Sequence, residues 1–321
     1  MARRDTVRKA CTITAQHDNT TALYAALFGN LAIAVTKFIA AWITGGSAML
    51  TEGVHSLVDC GNEVLLLYGL KRAAKPADAT HPVGYGRELY FWSFVVAMMI
   101  FALGAGISIY EGVIHILDPA PISRPEITFI VFGLAFVFES ITLWFAWQAF
   151  RKTKGHHSIW QAVRRSKDPT SFTVFLEDSA ALMGIVIATA GTAISVVTKN
   201  PVWDGAASVA IGILLACVAV VLARESKQLL VGETADAEVV AALRATVGAH
   251  PQVRRIVDLI TVQLGAEQVF AAFTLEFPDE MTVPDLERLI GAIGGTVRKT
   301  HLEVTRIFVR PEPRAQDIVA L

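Results

Sequence analysis

Glu52, His55, Asp59 and Glu63 follow one another at steps of three, four and four residues. That spacing stacks them on one face of a helix. His55 and Asp59, at i and i+4, have the spacing with which one helix offers two ligands to a metal ion. Imidazole with carboxylate suits Zn2+ and also takes Co2+, Fe2+, Mn2+ and Ni2+. Two ligands do not complete a site, so a second helix must bring more. Glu177 and Asp178 are the candidates for it. Glu52 and Glu63, one turn to either side of the pair, are candidate gates or structural carboxylates. Asp204 is a further carboxylate, less well placed. Asp78 and His81, at i and i+3 in a loop, offer a weak metal-binding pair or a turn fixed by Pro82, Gly84 and Gly86.

The positioning elements are membrane spans. Of the 321 residues 53% are apolar and only 18% charged, and the apolar ones gather in long runs. Six spans are predicted: Leu23–Thr44, Ser47–Gly69, Leu89–Leu117, Ile127–Phe150, Pro169–Thr198 and Trp203–Ala223. Ionisable groups inside a bilayer mark an ion or substrate pathway. Asp59 lies about 12 residues, or roughly 18 Å, from the basic cluster at Lys71. Asp178 lies about 11 residues, or roughly 16 Å, from Lys167, so the two carboxylates share one depth. The competing reading is a set of polar residues satisfying helix–helix contacts. Four ionisable groups on one face, matched by two more at similar depth, make that the lesser one. Glu139, in the fourth span, has no assigned partner in the sequence. Lys37, in the first, is expected to snorkel or to pair with a carboxylate.

Lys and Arg gather before span one, between spans two and three, and between spans four and five. The positive-inside rule then puts both termini in the cytoplasm. Residues 1–22 form a cytoplasmic segment, 23–228 the transmembrane domain and 229–321 a cytoplasmic α+β domain. In that last domain the order αββαβ is read from Ala235–Ala249, Arg254–Leu264, Gln268–Phe277, Val283–Lys299 and His301–Arg310. Net charge of −1 gives no support for a nucleic-acid partner. Cys11, Cys60 and Cys217 show no paired spacing, so neither a disulfide framework nor a cysteine zinc knuckle is indicated. No cleaved signal peptide is read at the N-terminus. No nucleophile arrangement or phosphate-cradling loop points to an enzyme or an ATPase.

Three segments carry a resemblance: SAMLTEGVHSLVDCGNE in span two, HPVGYGRELYFWS entering span three, and LEDSAALMGI in span five. With six spans and a C-terminal domain, they resemble the cation diffusion facilitator family of divalent-metal transporters. DPTSFTVFLEDSAAL and NPVWDGAASVAIG look most like the branch of animal zinc transporter nine and its bacterial relatives. The resemblance implies a ferredoxin-like C-terminal domain, a homodimer, a bacterial cytoplasmic membrane, and export of Zn2+ in exchange for protons. Other divalent metals, or a non-transporting scaffold of the same fold, are the alternatives. The family binds its ion with a His/Asp-x-x-x-Asp pair from each of spans two and five. Span two matches at His55 and Asp59. In span five Asp178 matches, but the position four residues earlier is Val174, and Glu177 lies about 100° round the helix. Water, Glu52 or Asp204 would complete the set. The C-terminal domain, poor in His and without Cys, is not expected to hold the family's full metal cluster.

Overall fold

The computed structural model describes the backbone of residues 2–44, 47–119, 124–154 and 156–312; side chains are not described for 2–19, 41, 43–44, 47–55 and 153. Two long helices come first, α1 (Ala2–Thr44) and α2 (Ser47–Ala73). The third span is α3 (Glu88–Met99), a π-helical segment (Ile100–Ala105) and α4 (Gly106–Leu117). Then come α5 (Pro125–Lys154), a short α6 (Ile159–Arg165), α7 (Pro169–Thr198) and α8 (Val202–Val231). The chain ends in α9 (Ala237–Gly248), β1 (Arg255–Gly265), β2 (Gln268–Glu276), α10 (Val283–Thr300) and β3 (Val304–Glu312).

Among the described residues, five helical stretches are long and apolar enough to cross a membrane: Thr20–Ala40, Glu88–Leu117, Pro125–Lys152, Pro169–Thr198 and Val202–Val231. The predicted second span is a helix of 27 residues, α2, whose first nine side chains lie outside the described set. The bundle is apolar on its outside as well as within. Phe28, Tyr110, Trp144, Met183 and Val220 are all exposed. Water would not tolerate so continuous an apolar surface, whereas lipid does. The chain is a multi-pass membrane protein.

Three local features depart from the sequence reading. The first helix runs back to Ala2 rather than starting at Leu23, because its polar residues do not stop a helix even though they end the apolar run. Span three contains the π segment, which periodicity does not reveal. The short α6 was missed, although Ser158 and Gln161 form a full capping box and so a readable start signal.

Helix α1 packs along α2 and α5, α5 along α7, and α7 along α8. The third span lies against α8 through glycines. A Cβ on Gly112 would stand 2.7 Å from the Gly205 carbonyl oxygen, and one on Gly205 would stand 2.8 Å from the Gly112 carbonyl oxygen. Small residues let two backbones approach in this way in lipid.

The C-terminal sheet has the order β1-β2-β3, with β1 and β2 antiparallel and β2 and β3 parallel across the α10 crossover. Its core joins Leu243, Phe273, Leu275, Ile293 and Val297. The domain is seated on the basic end of the bundle. Gly86, in the loop before α3, lies against the backbone of Leu264 and Gly265. Arg306 donates to the Pro82 carbonyl oxygen. Lys167 pairs with Glu233 at 2.6 Å. Arg165 forks onto Asp236, Nε to Oδ2 at 3.2 Å and Nη2 to Oδ1 at 2.9 Å.

Asp236 also caps α9, accepting from the Glu238 N–H at 2.9 Å. Partial burial pushes its carboxyl up, but the hydrogen bonds from Arg165 and the Glu238 backbone, with the nearby charges, outweigh that and hold it below its ordinary value. A depressed carboxylate contributes stability that is fully present above its unfolded value, about 3.9, and is lost as pH falls through the lower folded value. Asp236→Ala should therefore lower stability by about 1–2 kcal/mol at neutral pH, and the gap to wild type should close in strong acid. Thermal melts in detergent across pH check this.

Candidate functional site

The α2 face that carries Asp59 and Glu63 points into the bundle. Ser56, Cys60, Asn62 and Glu63 are buried and Asp59 is half-buried. His55 and Glu52 lie on the same helix, but their side chains lie outside the described residues. From α1, Asn30 Nδ2 donates to Glu63 Oε1 at 2.8 Å. Lys37 neither snorkels nor sits exposed; it is buried, and its Nζ donates to Ser56 Oγ at 3.0 Å. Glu63 is thus held by Asn30 through one oxygen, while its Oε2 has no hydrogen-bond partner among the described residues.

Glu177 and Asp178, adjacent on α7, look to different neighbours. Glu177 Oε1 accepts from Asn62 Nδ2 at 2.9 Å and so ties α7 to α2. Asp178 is 2% exposed, interacts with Thr142 of α5, and has an Oδ2 with no hydrogen-bond partner among the described residues. Val174, one turn before Asp178, is packed in the apolar core with Phe172 and Leu222.

Glu139 of α5 belongs with them. It is buried and acts electrostatically on Asp59 and Asp178, with Lys37 acting on it in turn. Asp59, Glu63, Glu177, Asp178 and Glu139 therefore form one electrostatically connected group drawn from α2, α5 and α7. Sequence reasoning left Glu139 aside, yet a signal was there. It lies about 12 residues, roughly 18 Å, from Arg151, the depth already found for Asp59 and Asp178. Five carboxylates in an apolar bundle repel one another and are poorly solvated, so the group favours the entry of cations or protons. Among the described residues no three His, Cys, Asp or Glu side chains meet as a ready metal site.

The remaining candidates lie apart. Asp204 Oδ1 accepts from Thr192 Oγ1 at 2.8 Å and joins α7 to α8. Thr192 is 14 residues along α7 from Asp178, roughly 21 Å. Asp78 and His81 lie in the loop after α2. Asp78 Oδ1 accepts from the Thr80 N–H at 2.9 Å, the Thr80 hydroxyl at 2.7 Å and the His81 N–H at 2.8 Å. Tyr85 donates to Oδ2 at 2.6 Å. These bonds, Tyr85's first, hold the Asp78 carboxyl well below the usual carboxylate range, and the same bond pushes the Tyr85 hydroxyl up. Both Asp78 oxygens close a turn, which accounts for this sequence without a metal.

Residues 23–231 match the model of the cation efflux transmembrane domain. The chain belongs to the cation diffusion facilitator, or cation efflux, family. Metal tolerance protein C4 of Arabidopsis thaliana is 35% identical over 217 residues, 67% of this chain and 48% of that protein. The mitochondrial proton-coupled zinc antiporter SLC30A9 of Homo sapiens is 33% identical over 236 residues, 73% of this chain and 41% of that protein. Magnetosome protein MamM of Paramagnetospirillum magneticum is 28% identical over 116 residues, 36% of each chain. The chain thus spans less than half the length of the first two relatives and sits near the SLC30A9 branch of its family.

Proposed function

We propose that this cation diffusion facilitator moves a divalent cation, zinc foremost, out of the cytoplasm in exchange for protons. The observation that carries the reading is the buried carboxylate group shared by three spans, in which Asp178 Oδ2 has no hydrogen-bond partner among the described residues. Asp59 and Asp178, with His55 from α2, are the proposed ligands. Glu177, Glu139 and Glu63 surround them and balance the charge of the ion. Support for zinc and for proton coupling comes from the kinship to proteins named as zinc antiporters.

Metal and protons compete for the same groups, because only neutral imidazole and ionised carboxylates ligate. Metal arriving from the basic face displaces protons, and the helices then rock to open the site outward. Protons from the far side reload the ligands and release the ion. Histidine suits the exchange because its charge changes near neutral pH. We place both termini in the cytoplasm, on the side of the positive loops. We take the working unit to be a homodimer. Ile260, Ala272 and Phe308 form one cross-strand row, with Ile260 and Phe308 exposed, and offer an apolar face to a second copy.

Uptake by proteoliposomes of Zn2+, Mn2+, Fe2+, Co2+ and Ni2+, with and without a pH gradient, tests this. Zinc should be carried fastest and the gradient should accelerate it. Zinc binding should weaken at least about tenfold between about pH 7.5 and pH 5.5, as protons take the ligands. Uptake indifferent to the gradient would overturn the antiport reading.

A further inference from the structure

Four hydroxyls buried in the bundle have no hydrogen-bond partner among the described residues: Ser93, Thr170, Thr173 and Ser226. Each is at most 1% exposed. Hydroxyls elsewhere in the spans bond back to a carbonyl one turn earlier, Ser179 to Phe175 at 2.6 Å, Thr189 to Ile185 at 2.7 Å and Ser140 to Phe136 at 2.6 Å. That local solution is the ordinary one in a membrane helix. A buried hydroxyl that takes neither this partner nor another calls for a different one.

The four share a place. Tyr90 of α3 donates to the Lys167 carbonyl oxygen at 3.1 Å, which fixes α3 against the start of α7. Ser93 is one turn inward from Tyr90, and Thr170 stands in the first turn of α7, just after its Asp168 cap. Arg87 lies beside Gly232 at the end of α8. Ser93 and Ser226 are each six residues inward from that contact, roughly 9 Å. Ser93, Thr170 and Ser226 therefore stand near the basic ends of three helices that pack together. Thr173 stands one turn deeper, and Thr170, Thr173 and Glu177 follow one stripe of α7 at i, i+3 and i+7.

We propose that Ser93, Thr170, Ser226 and Thr173 line the inner passage by which a hydrated divalent cation reaches Glu177 and Asp178 from the basic face. The hydroxyls bond the water that accompanies the ion, as buried polar groups do. The passage runs between spans three, five and six and follows the stripe of α7 that ends at Glu177, where Asn62 ties α7 to α2 beside Glu63. This inference rests on the reading that the carboxylate group holds the ion.

Thr173→Val keeps the shape and removes the hydroxyl. Zn2+ uptake into proteoliposomes should slow about fivefold, and more in the double variant with Ser93→Ala. Equilibrium Zn2+ binding should stay within about twofold of wild type, since no ligand is touched. Thr173→Ser should restore the rate, and Thr189→Val, whose hydroxyl has its own carbonyl, should leave it unchanged. In a background with Cys11, Cys60 and Cys217 replaced, Thr173→Cys should react with a small charged thiol reagent added on the basic side. Wild-type rates in Thr173→Val, or an unreactive Thr173→Cys, would overturn the passage. So would loss of equilibrium binding in Thr173→Val, because the hydroxyl would then belong to the ion site itself. Full binding and transport in Asp59→Ala would instead sink the underlying ion-site reading, whatever Thr173 does.

Discussion

Asp178→Asn should lower Zn2+ transport at least about 100-fold, beyond the range seen when only a group supporting a ligand is lost. The same variant should be as stable as wild type or more so. Asp178 is buried, its Oδ2 has no hydrogen-bond partner among the described residues, and its neighbours Glu139 and Glu177 are carboxylates too. Exchanging the carboxylate for an amide removes a like charge from a place where charge is poorly solvated. Activity and stability thus move in opposite directions, as they should where stability is given up for an ion site. Glu139→Gln should act more mildly, weakening zinc binding about tenfold, because it shapes the field around the ion without being a proposed ligand. Zinc flux and detergent melts on the same preparations check both variants. A destabilised Asp178→Asn that still transports would reverse the assignment.

Gly112→Val should have the largest effect on stability. A Cβ there would meet backbone atoms of α8, the Gly205 carbonyl oxygen and the Val209 nitrogen, each at 2.7 Å. Backbone cannot turn aside as a side chain can, so α4 and α8 must separate, at a cost of about 2–3 kcal/mol. The melting temperature should fall roughly 5–10 °C. Gly133→Ala is the control, because nothing lies within 4 Å of a Cβ at that exposed position of α5. It should be neutral or gain up to about 1 kcal/mol of helix propensity.

Much of the architecture was legible because lipid demands long apolar helices and β2 of the C-terminal domain alternates cleanly. Leu243, Phe273 and Ile293 fall where an αββαβ pattern puts its core. The π segment at Ile100–Ala105 was not legible, since one extra residue in a turn leaves composition unchanged. Short α6 lacks a long apolar run, and only its Ser158–Gln161 box announces it. Within the site, the depth rule singled out Asp59 and Asp178, and applied to Glu139 it would have added a third helix. Spacing could not show that Asn62 carries Glu177 across to α2 at 2.9 Å, because a contact between residues 115 apart is made by packing alone. Nor could it decide whether Lys37 snorkels or turns inward to a carboxylate; it is buried, bonded to Ser56 and acting on Glu139. The hydroxyls of Ser93 and Thr173 look like any others in an apolar helix until they are seen to have no hydrogen-bond partner among the described residues.

The central claim is that a zinc ion sits between α2 and α7 on oxygen and one imidazole. X-ray absorption at the zinc edge of the purified, zinc-loaded protein reads that shell directly. The shell should hold nitrogen and oxygen alone, with one histidine that disappears in His55→Ala, and bound zinc should be lost in Asp59→Ala. Sulfur in the shell, or a spectrum unchanged in both variants, would contradict it.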